Sequence, residues 1–466
     1  MKRLRRLFFI GCIFSLASCA VGPDYTRPVV SLPDVFVEGS TETVSAMQPA
    51  WWTLFGDADL NGLVDKALIN NRDVQIAAAQ VEEAEAVLRQ ANASIFPQID
   101  LAASATRSRV STLAAQPVIT APIRDDRRIA ASTSFEIDFW GKLRRASEAA
   151  RAQALASAYG RDVVMLTLAG TTTQAYFSLR SLDAQITALT SSVKTRGETY
   201  DVVKSRVDAG FASDLDLNQS LGARADAAAQ LKELARQRAL IEHQLGTLTG
   251  KLDLKISAGS LETLPVPPIP PAGLPSSLLD RRPDIRVAEQ NLISANAQIG
   301  VAKAALFPTI SLTGAYGGHS SALDTLFNSG ARIWSAGFGL ALPIFDAGRN
   351  AAKLDQTEAR QKQSLASYQN TIETAFREVS DAISNVRQSG AAEADLQVRL
   401  DAAKKSLALA TIRYDSGYVG YLDVLDAQRT ANEAELALVR NRQSRLAYTV
   451  DFMKSLGGGW VPADIH

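Results

Sequence analysis

Four stretches of the chain alternate between apolar and polar residues. In RIAASTSFEIDF, residues 128–139, one face carries Ile129, Ala131, Thr133, Phe135, Ile137 and Phe139, and the other Ala130, Ser132, Ser134, Glu136 and Asp138. A strand turns successive side chains to opposite sides, so the pattern predicts a strand that is apolar on one face. IDLAASAT sets Ile99, Leu101, Ala103 and Ala105 against Asp100, Ser104 and Thr106. Later, Ile310, Leu312 and Tyr316 alternate with Thr309, Ser311 and Thr313, and Trp334, Phe338, Leu340 and Leu342 oppose Ser335, Gly337 and Gly339. Polar linkers at about 108–127 and 317–331 join each pair into a hairpin, at about 97–139 and 308–345.

The remaining pattern is helical. A helix rich in Ala, Gln and Glu precedes each hairpin, at about 72–95 and 284–305, and stops at Phe-Pro, because proline disfavours helix in the residue before it. Long helical stretches follow at about 142–209 and 348–415, then a break at Gly210 or Gly417 and a second long helix. A helix of ~65 residues runs about 100 Å, more than a compact core needs. Apolar positions three and four apart, with a seven-residue step, fit coiled-coil-like packing. Glycine tolerates positive φ, so each long helix reverses near Gly210 or Gly417.

The same order of elements occurs twice. ANASIFPQIDL (91–101) matches AKAALFPTISL (302–312), and RVDAGFASDLDL (206–217) matches RYDSGYVGYLDV (413–424). Leu231, Leu234, Ile241, Leu245 and Leu248 recur in spacing as Leu436, Val439, Leu446, Val450 and Met453. An internal two-fold repeat follows. The expected organisation is an N-terminal segment at 19–71, a first repeat at 72–263, a Pro-rich connector at 264–283, a second repeat at 284–456 and a tail at 457–466. The prolines of LPVPPIPPAGLPSS favour an extended connector.

Four strands per chain constrain the architecture. An amphipathic hairpin can set its apolar face against lipid and its polar face against water. Small closed barrels have about eight strands, and open edges cannot face lipid, so strands that enter a membrane must come from several chains. Three chains would give twelve. The expected fold is a mixed α/β membrane protein: a long α-helical, coiled-coil-like barrel plus four strands per chain in a shared β-barrel.

Charge and the N-terminus sharpen this picture. Lys+Arg and Asp+Glu are 49 each among 466 residues, so nothing points to nucleic acid. Lys2, Arg3, Arg5 and Arg6 precede an apolar run, Leu7 to Ala17, too short to span a bilayer. That order is a secretory signal peptide, residues 1–18. Leu16-Ala17-Ser18-Cys19 also resembles the bacterial lipobox, which implies cleavage before Cys19 and its acylation with diacylglycerol and palmitate. An ordinary signal peptide with an incidental cysteine is the alternative. Ala20 after the cysteine, in place of Asp, implies export to the outer membrane in such lipoproteins. The other cysteine, Cys12, lies in the removed segment, so no disulfide can form within the mature chain. His243, His319 and His466 are far apart, which disfavours a zinc site, and no P-loop, dinucleotide or Gly-x-Ser-x-Gly motif occurs. No cofactor and no metal is expected beyond the covalent lipid.

CAVGPDYTRP, WWTLFGDADLNGLVDKALINNRDVQIA, LLDRRPDIRVAEQNLISANAQIG, LFPTISL and RYDSGYVGYLDVLDAQR together resemble the outer membrane factor lipoproteins, across essentially the whole mature chain. These are the outer-membrane channels of resistance-nodulation-division tripartite efflux pumps. The resemblance implies a homotrimer with a 12-stranded barrel and a helical tunnel into the periplasm, in a Gram-negative outer membrane. Its implied partners are a periplasmic adaptor and an inner-membrane proton-driven transporter. It places a periplasmic gate at the second hairpin tip, where DVLDA supplies Asp423 and Asp426, one helical turn apart, and Tyr414 braces the closed helices. Three copies would ring a constriction with carboxylates, which favours cations. The same carboxylates can instead cap a helix and offset its dipole. An arginine found near this tip in some members is absent, with Val419 and Gly420 in the region. Asp214 and Asp216 on the first tip are weaker gate candidates. Adaptor docking is implied at the RxxxG motifs, Arg206 with Gly210 and Arg413 with Gly417, within tip loops 207–213 and 414–420. Glu136 and Asp138 are candidates to line the barrel lumen. Trp51 and Trp52 read as packing anchors.

The function expected is a passive, gated conduit exporting drugs or small molecules. A secretion channel is a runner-up, and a non-conducting envelope lipoprotein belongs to another class. No nucleophile, base and orienter form a visible constellation, so an enzyme is not expected.

Overall fold

The structure, a computed structural model, describes residues 20–31, 33, 36, 48–111, 113, 122–267 and 278–460. Signal segment 1–18, Cys19, residues 268–277 of the Pro-rich connector and the last six residues lie outside the described residues.

A 3-10 turn at Trp51–Phe55 leads into α1 (Ala58–Asn70). Asp57 caps α1, accepting the Leu60 amide at 3.0 Å. Helix α2 (Arg72–Ala93) ends just ahead of Phe96-Pro97. Strands β1 (Gln98–Arg109) and β2 (Ile123–Ile137) follow, then α3 (Lys142–Asp208) and α4 (Asp214–Leu248). After a short α5 (Leu278–Arg281), α6 (Pro283–Ala304) opens on proline at its first position, where no amide donor is needed. Strands β3 (Thr309–Ser320) and β4 (Arg332–Ala341) flank a 3-10 turn at Ser329–Ala331, and α7 (Arg349–Asp415) and α8 (Tyr421–Ser455) close the described chain. The long helices match in length across the halves: α3 and α7 have 67 residues each, α4 and α8 35 each. None of the described helices is both long and apolar enough to cross a membrane.

The described residues form two compact units that cut across the two sequence copies. The first takes those of Met1–Val29, Gln80–Ser157 and Val287–Tyr368. It holds one antiparallel sheet in the order β1-β2-β3-β4. Two strands outrun the sequence expectation. Strand β2 starts at Ile123 and β3 runs to Ser320, inside segments that read as polar linkers. The ladder pairs backbone groups and is indifferent to side-chain polarity, and Arg107 and Asp125 face each other in register. At the other end the alternation overreaches. Asp138 and Phe139 lie past β2, and Leu342 past β4.

The second unit takes those of Val30–Ala79, Ala158–Arg286 and Gln369–His466. Its core joins Trp51, Phe55, Leu60 and Val64 to Tyr176, Phe177 and Leu179 of α3, Leu245 of α4, and Leu446, Val450 and Met453 of α8. Phe55 packs edge-on to Phe177, with ring centroids 4.8 Å apart. Trp51 and Trp52 are buried in this core, as packing anchors.

Candidate functional site

Register assigns every strand residue to a face. One face carries Ile99, Leu101 and Ala103 of β1 opposite Thr133, Ala131 and Ile129 of β2. Across β2 and β3, Phe135 meets Leu312 and Ala131 meets Tyr316; across β3 and β4, Leu312 meets Phe338 and Tyr316 meets Trp334. An apolar surface therefore runs across all four strands. Its large side chains are left open among the described residues: Leu101 is 73% exposed, Trp334 77% and Phe338 67%. The opposite face carries Ser104, Thr106, Asp126, Arg128, Ser132, Ser134, Thr313 and His319. His319 Nε2 lies 2.9 Å from the Asp126 carboxylate. Edge strands β1 and β4 each pair on one side only among the described residues.

Glu136 falls on the polar face, opposite Ser311, and accepts from the Lys142 ammonium at 3.1 Å. Asp138 is not on the sheet. Its carboxylate accepts the Leu143 and Arg144 amides at 3.0 Å and pairs with the Arg144 guanidinium, so it caps the start of α3. Strand alternation continues in sequence through Asp138, but the free amides of a helix start draw its carboxylate instead.

The helical hairpin tips lie in the second unit. Both turns close in the same way: the Phe211 amide donates to the Arg206 carbonyl at 2.7 Å, and the Tyr418 amide to the Arg413 carbonyl at 2.9 Å. Gly210 and Gly417 sit at φ 77° and 79°, the left-handed conformation such helix ends require. The turns leave Phe211 and Tyr418 85% and 79% exposed.

The two tips are joined by side chains that the sequence reading kept apart. Arg206, considered for docking, donates to Asp415 at 3.2 Å and stacks over the Tyr414 ring, 4.8 Å from its centroid. Tyr414 in turn meets Tyr421 edge-on at 5.7 Å. Tyr421 is buried with Val203 and Val424, and burial pushes its phenol pKa up. An arginine from the first tip thus stands against the tyrosine considered for the gate. The two acidic gate candidates differ. Asp426 pairs with Arg429 at 2.8 Å, while Asp423, in the first turn of α8, has no side-chain partner among the described residues. On the first tip Asp216 is engaged in a capping box with Ser213, and Asp214 opens α4. Arg413 is exposed on the last turn of α7.

Two charged clusters were missed in the sequence. Arg180, buried in α3, binds the Tyr176 hydroxyl at 2.9 Å, Asp183 and Asp59 at 3.2 Å and the Ser257 carbonyl at 2.6 Å. Asp183 also accepts from Arg238 at 2.6 Å. A usable signal existed: Arg180 and Asp183 are the two charged residues in AYFSLRSLDAQI, three apart on one helix. Arg282, from RPDIR, pairs with Asp284 at 2.6 Å and Glu378 at 2.8 Å and reaches the Ser455 carbonyl at 3.1 Å. Burial lowers its pKa, but these pairs outweigh burial and raise it overall. It is a buried tie between α7 and the end of α8.

A sheet with an uncovered apolar face, joined to helices of this length, defines a membrane channel of the outer-membrane type. The description "Outer membrane efflux protein" matches residues 63–251 and 274–458, and the chain belongs to that family. It is 35% identical to "Cation efflux system protein CusC" of Escherichia coli O6:H1 over 457 residues, 96% of this chain and 97% of that protein. It is 34% identical over 461 residues to "Solvent efflux pump outer membrane protein SrpC" of Pseudomonas putida, again 96% and 97%. The crystal structure of the Campylobacter jejuni CmeC outer membrane channel superposes with TM-score 0.88 at 28% identity, over 95% of this chain and 96% of that one. The protein is an outer-membrane efflux channel.

Proposed function

We propose that three copies of the chain close one twelve-stranded barrel whose apolar face meets lipid and whose polar face lines water. The observation that carries this reading is the four-stranded sheet, whose two edges are unpaired and whose apolar side is open among the described residues. Lipid requires that both edges be paired. The repeated element order and equal helix lengths support two copies of one fold in each chain, with the helices forming a periplasmic tunnel. The polypeptide itself performs no catalysis; it supplies a wall, a gate and a docking surface.

Lipidation at Cys19 fits the position of the next residues. The Val21 amide donates to the Trp140 carbonyl at 2.9 Å, between the end of β2 and the start of α3. An acyl chain on Cys19 would enter the leaflet beside that edge of the barrel. At the gate, Arg206 locks the tips by charge and by stacking on Tyr414, while Asp423 and Asp426 supply the cation preference. The exposed Phe211 and Tyr418, next to Gly210 and Gly417, suit an apolar contact with a periplasmic adaptor, which would link the channel to an inner-membrane transporter. The relatives' names include cations and solvents at nearly equal identity, so we assign cargo choice to the transporter and keep the channel a passive conduit for small molecules.

Conductance in a planar bilayer, with trimer content measured on the same sample, tests this reading. Discrete cation-preferring openings from trimers are expected, and monomers that never insert would overturn it. Replacing Asp423 and Asp426 by Ala should reduce cation preference with trimers intact; unchanged selectivity and unchanged divalent block would remove the acidic gate. Cys19→Ser should abolish lipid labelling, and continued labelling would refute the anchor.

A further inference from the structure

We propose that the outward face of the sheet ends in an arginine rim that binds the phosphates of a phosphorylated glycolipid headgroup in the outer leaflet. This rests on the preceding reading that the apolar face meets lipid.

The register places the rim. Arg107 and Arg109 of β1, Arg127 of β2 and Arg332 of β4 all fall on the apolar-face positions: Arg107 is opposite Asp125, Arg127 opposite Ala105 and Ser320, Arg332 opposite Gly318. They gather at one end, where β1 turns to β2 and β3 to β4, away from the helix junctions at Gln98, Ile137, Thr309 and Ala341. Between the rim and those junctions the same face carries no charged residue: it reads Ile99, Leu101 and Ala103 on β1 and Ile310, Leu312 and Tyr316 on β3. Beyond the junction end, Leu342, Ile344 and Phe345 are exposed apolar residues. The two ends of the apolar band therefore differ in chemistry, as the two leaflets of an outer membrane do.

The arginines retain binding capacity. Arg109 and Arg332 have no side-chain partner among the described residues and are exposed. Asp125 is the only carboxylate on this face of the four strands, and it stands 3.9 Å from both Arg107 and Arg127, beyond hydrogen-bond length. Arg127 also donates to the Ser321 carbonyl. Arginine on a lipid-facing surface is unfavourable in the hydrocarbon but tolerated at the interface. There its planar fork matches phosphate oxygens two at a time. Neighbouring strands ~4.8 Å apart would present several forks to one headgroup, and three chains would repeat the comb around the barrel.

The experiment uses the full-length protein in phosphatidylcholine nanodiscs, titrated with lipid A and with the same lipid lacking its phosphates. Lipid A is expected to bind at least about tenfold more tightly, from the attraction of several arginines for an anionic headgroup. The variant carrying Arg107→Gln, Arg109→Gln, Arg127→Gln and Arg332→Gln should lose that preference. Equal binding of the two lipids by the wild-type protein would overturn the rim, whether or not the variant assembles. Displacement of lipid A by inorganic phosphate at comparable concentration would overturn the headgroup as the ligand. Quenching of Trp334 by brominated phosphatidylcholine, taken as the difference from Trp334→Phe, reads the underlying face assignment separately. Quenching without lipid A preference sinks the rim alone; no quenching sinks the face assignment and the rim with it.

Discussion

Trp334 and Phe338 in the sheet and Trp51 and Phe177 in the helical unit are the same kinds of side chain in opposite circumstances. The first pair stands open to its surroundings, and the second is enclosed at 1% exposure or less. In the helical unit the chain supplies its own burial, with Phe55 and Phe177 in edge contact and Leu446 and Val450 closing over them. In the sheet the chain supplies only the surface. The difference teaches that the helical core is buried by one chain alone, whereas the sheet, on the proposed reading, draws its stability from lipid and neighbouring copies.

The comparison breaks most sharply in the core. Phe177→Ala should cost about 3–5 kcal/mol, the usual loss for a buried aromatic, read as a lower denaturant midpoint of the helical signal. Phe338→Ala should leave that midpoint nearly unchanged. Next in size is a test of the two sheet faces. Leu101→Arg should disfavour membrane assembly by about 2–4 kcal/mol, read as lost heat-resistant trimer in vesicles. Ser104→Arg, on the polar face, should assemble and alter conductance instead. Equal assembly of the two variants would contradict the face assignment.

A smaller effect is expected at the tips. Gly210→Ala and Gly417→Ala each force a side chain into the left-handed region, for about 1–2 kcal/mol, with no change in sheet assembly. The smallest effect depends on pH. Glu393 is buried in part, which alone would raise its pKa, but hydrogen bonds from Arg445 and Arg442 hold it below the ordinary value. A lowered carboxylate pKa gives stability that is fully present above the unfolded value, near ~4.3, and lost as pH falls through the folded value. Glu393→Gln should therefore be less stable than the wild type at neutral pH, and the gap should close in acid. A gap independent of pH would show that the pair contributes packing alone.

Much of this protein is legible in its sequence because the relevant patterns are local. Period-two alternation assigned Ile99, Leu101, Leu312, Phe338 and Leu340 to one face, since a strand cannot place neighbours on the same side. The helix ends were legible at Phe96-Pro97, Phe307-Pro308, Gly210 and Gly417, where proline and glycine act on their own backbone. Strand limits were less so. Arg124 to Arg127 and Gly317 to Ser320 look like linkers, yet they lie in strands because the partner backbone is present. Asp138 extends the alternation in sequence and caps a helix in space.

The sequence by itself determined which side chains would alternate, where the helices would turn and which family the chain resembles. Only the tertiary structure decided who meets whom: Arg206 with Tyr414 and Asp415, Arg180 with Tyr176 and Asp183, Arg282 with Glu378. The reason is physical. Backbone preference and periodicity act within a few residues, whereas an ion pair or a stacked guanidinium depends on how separate helices approach, set by the packing of all the residues between them.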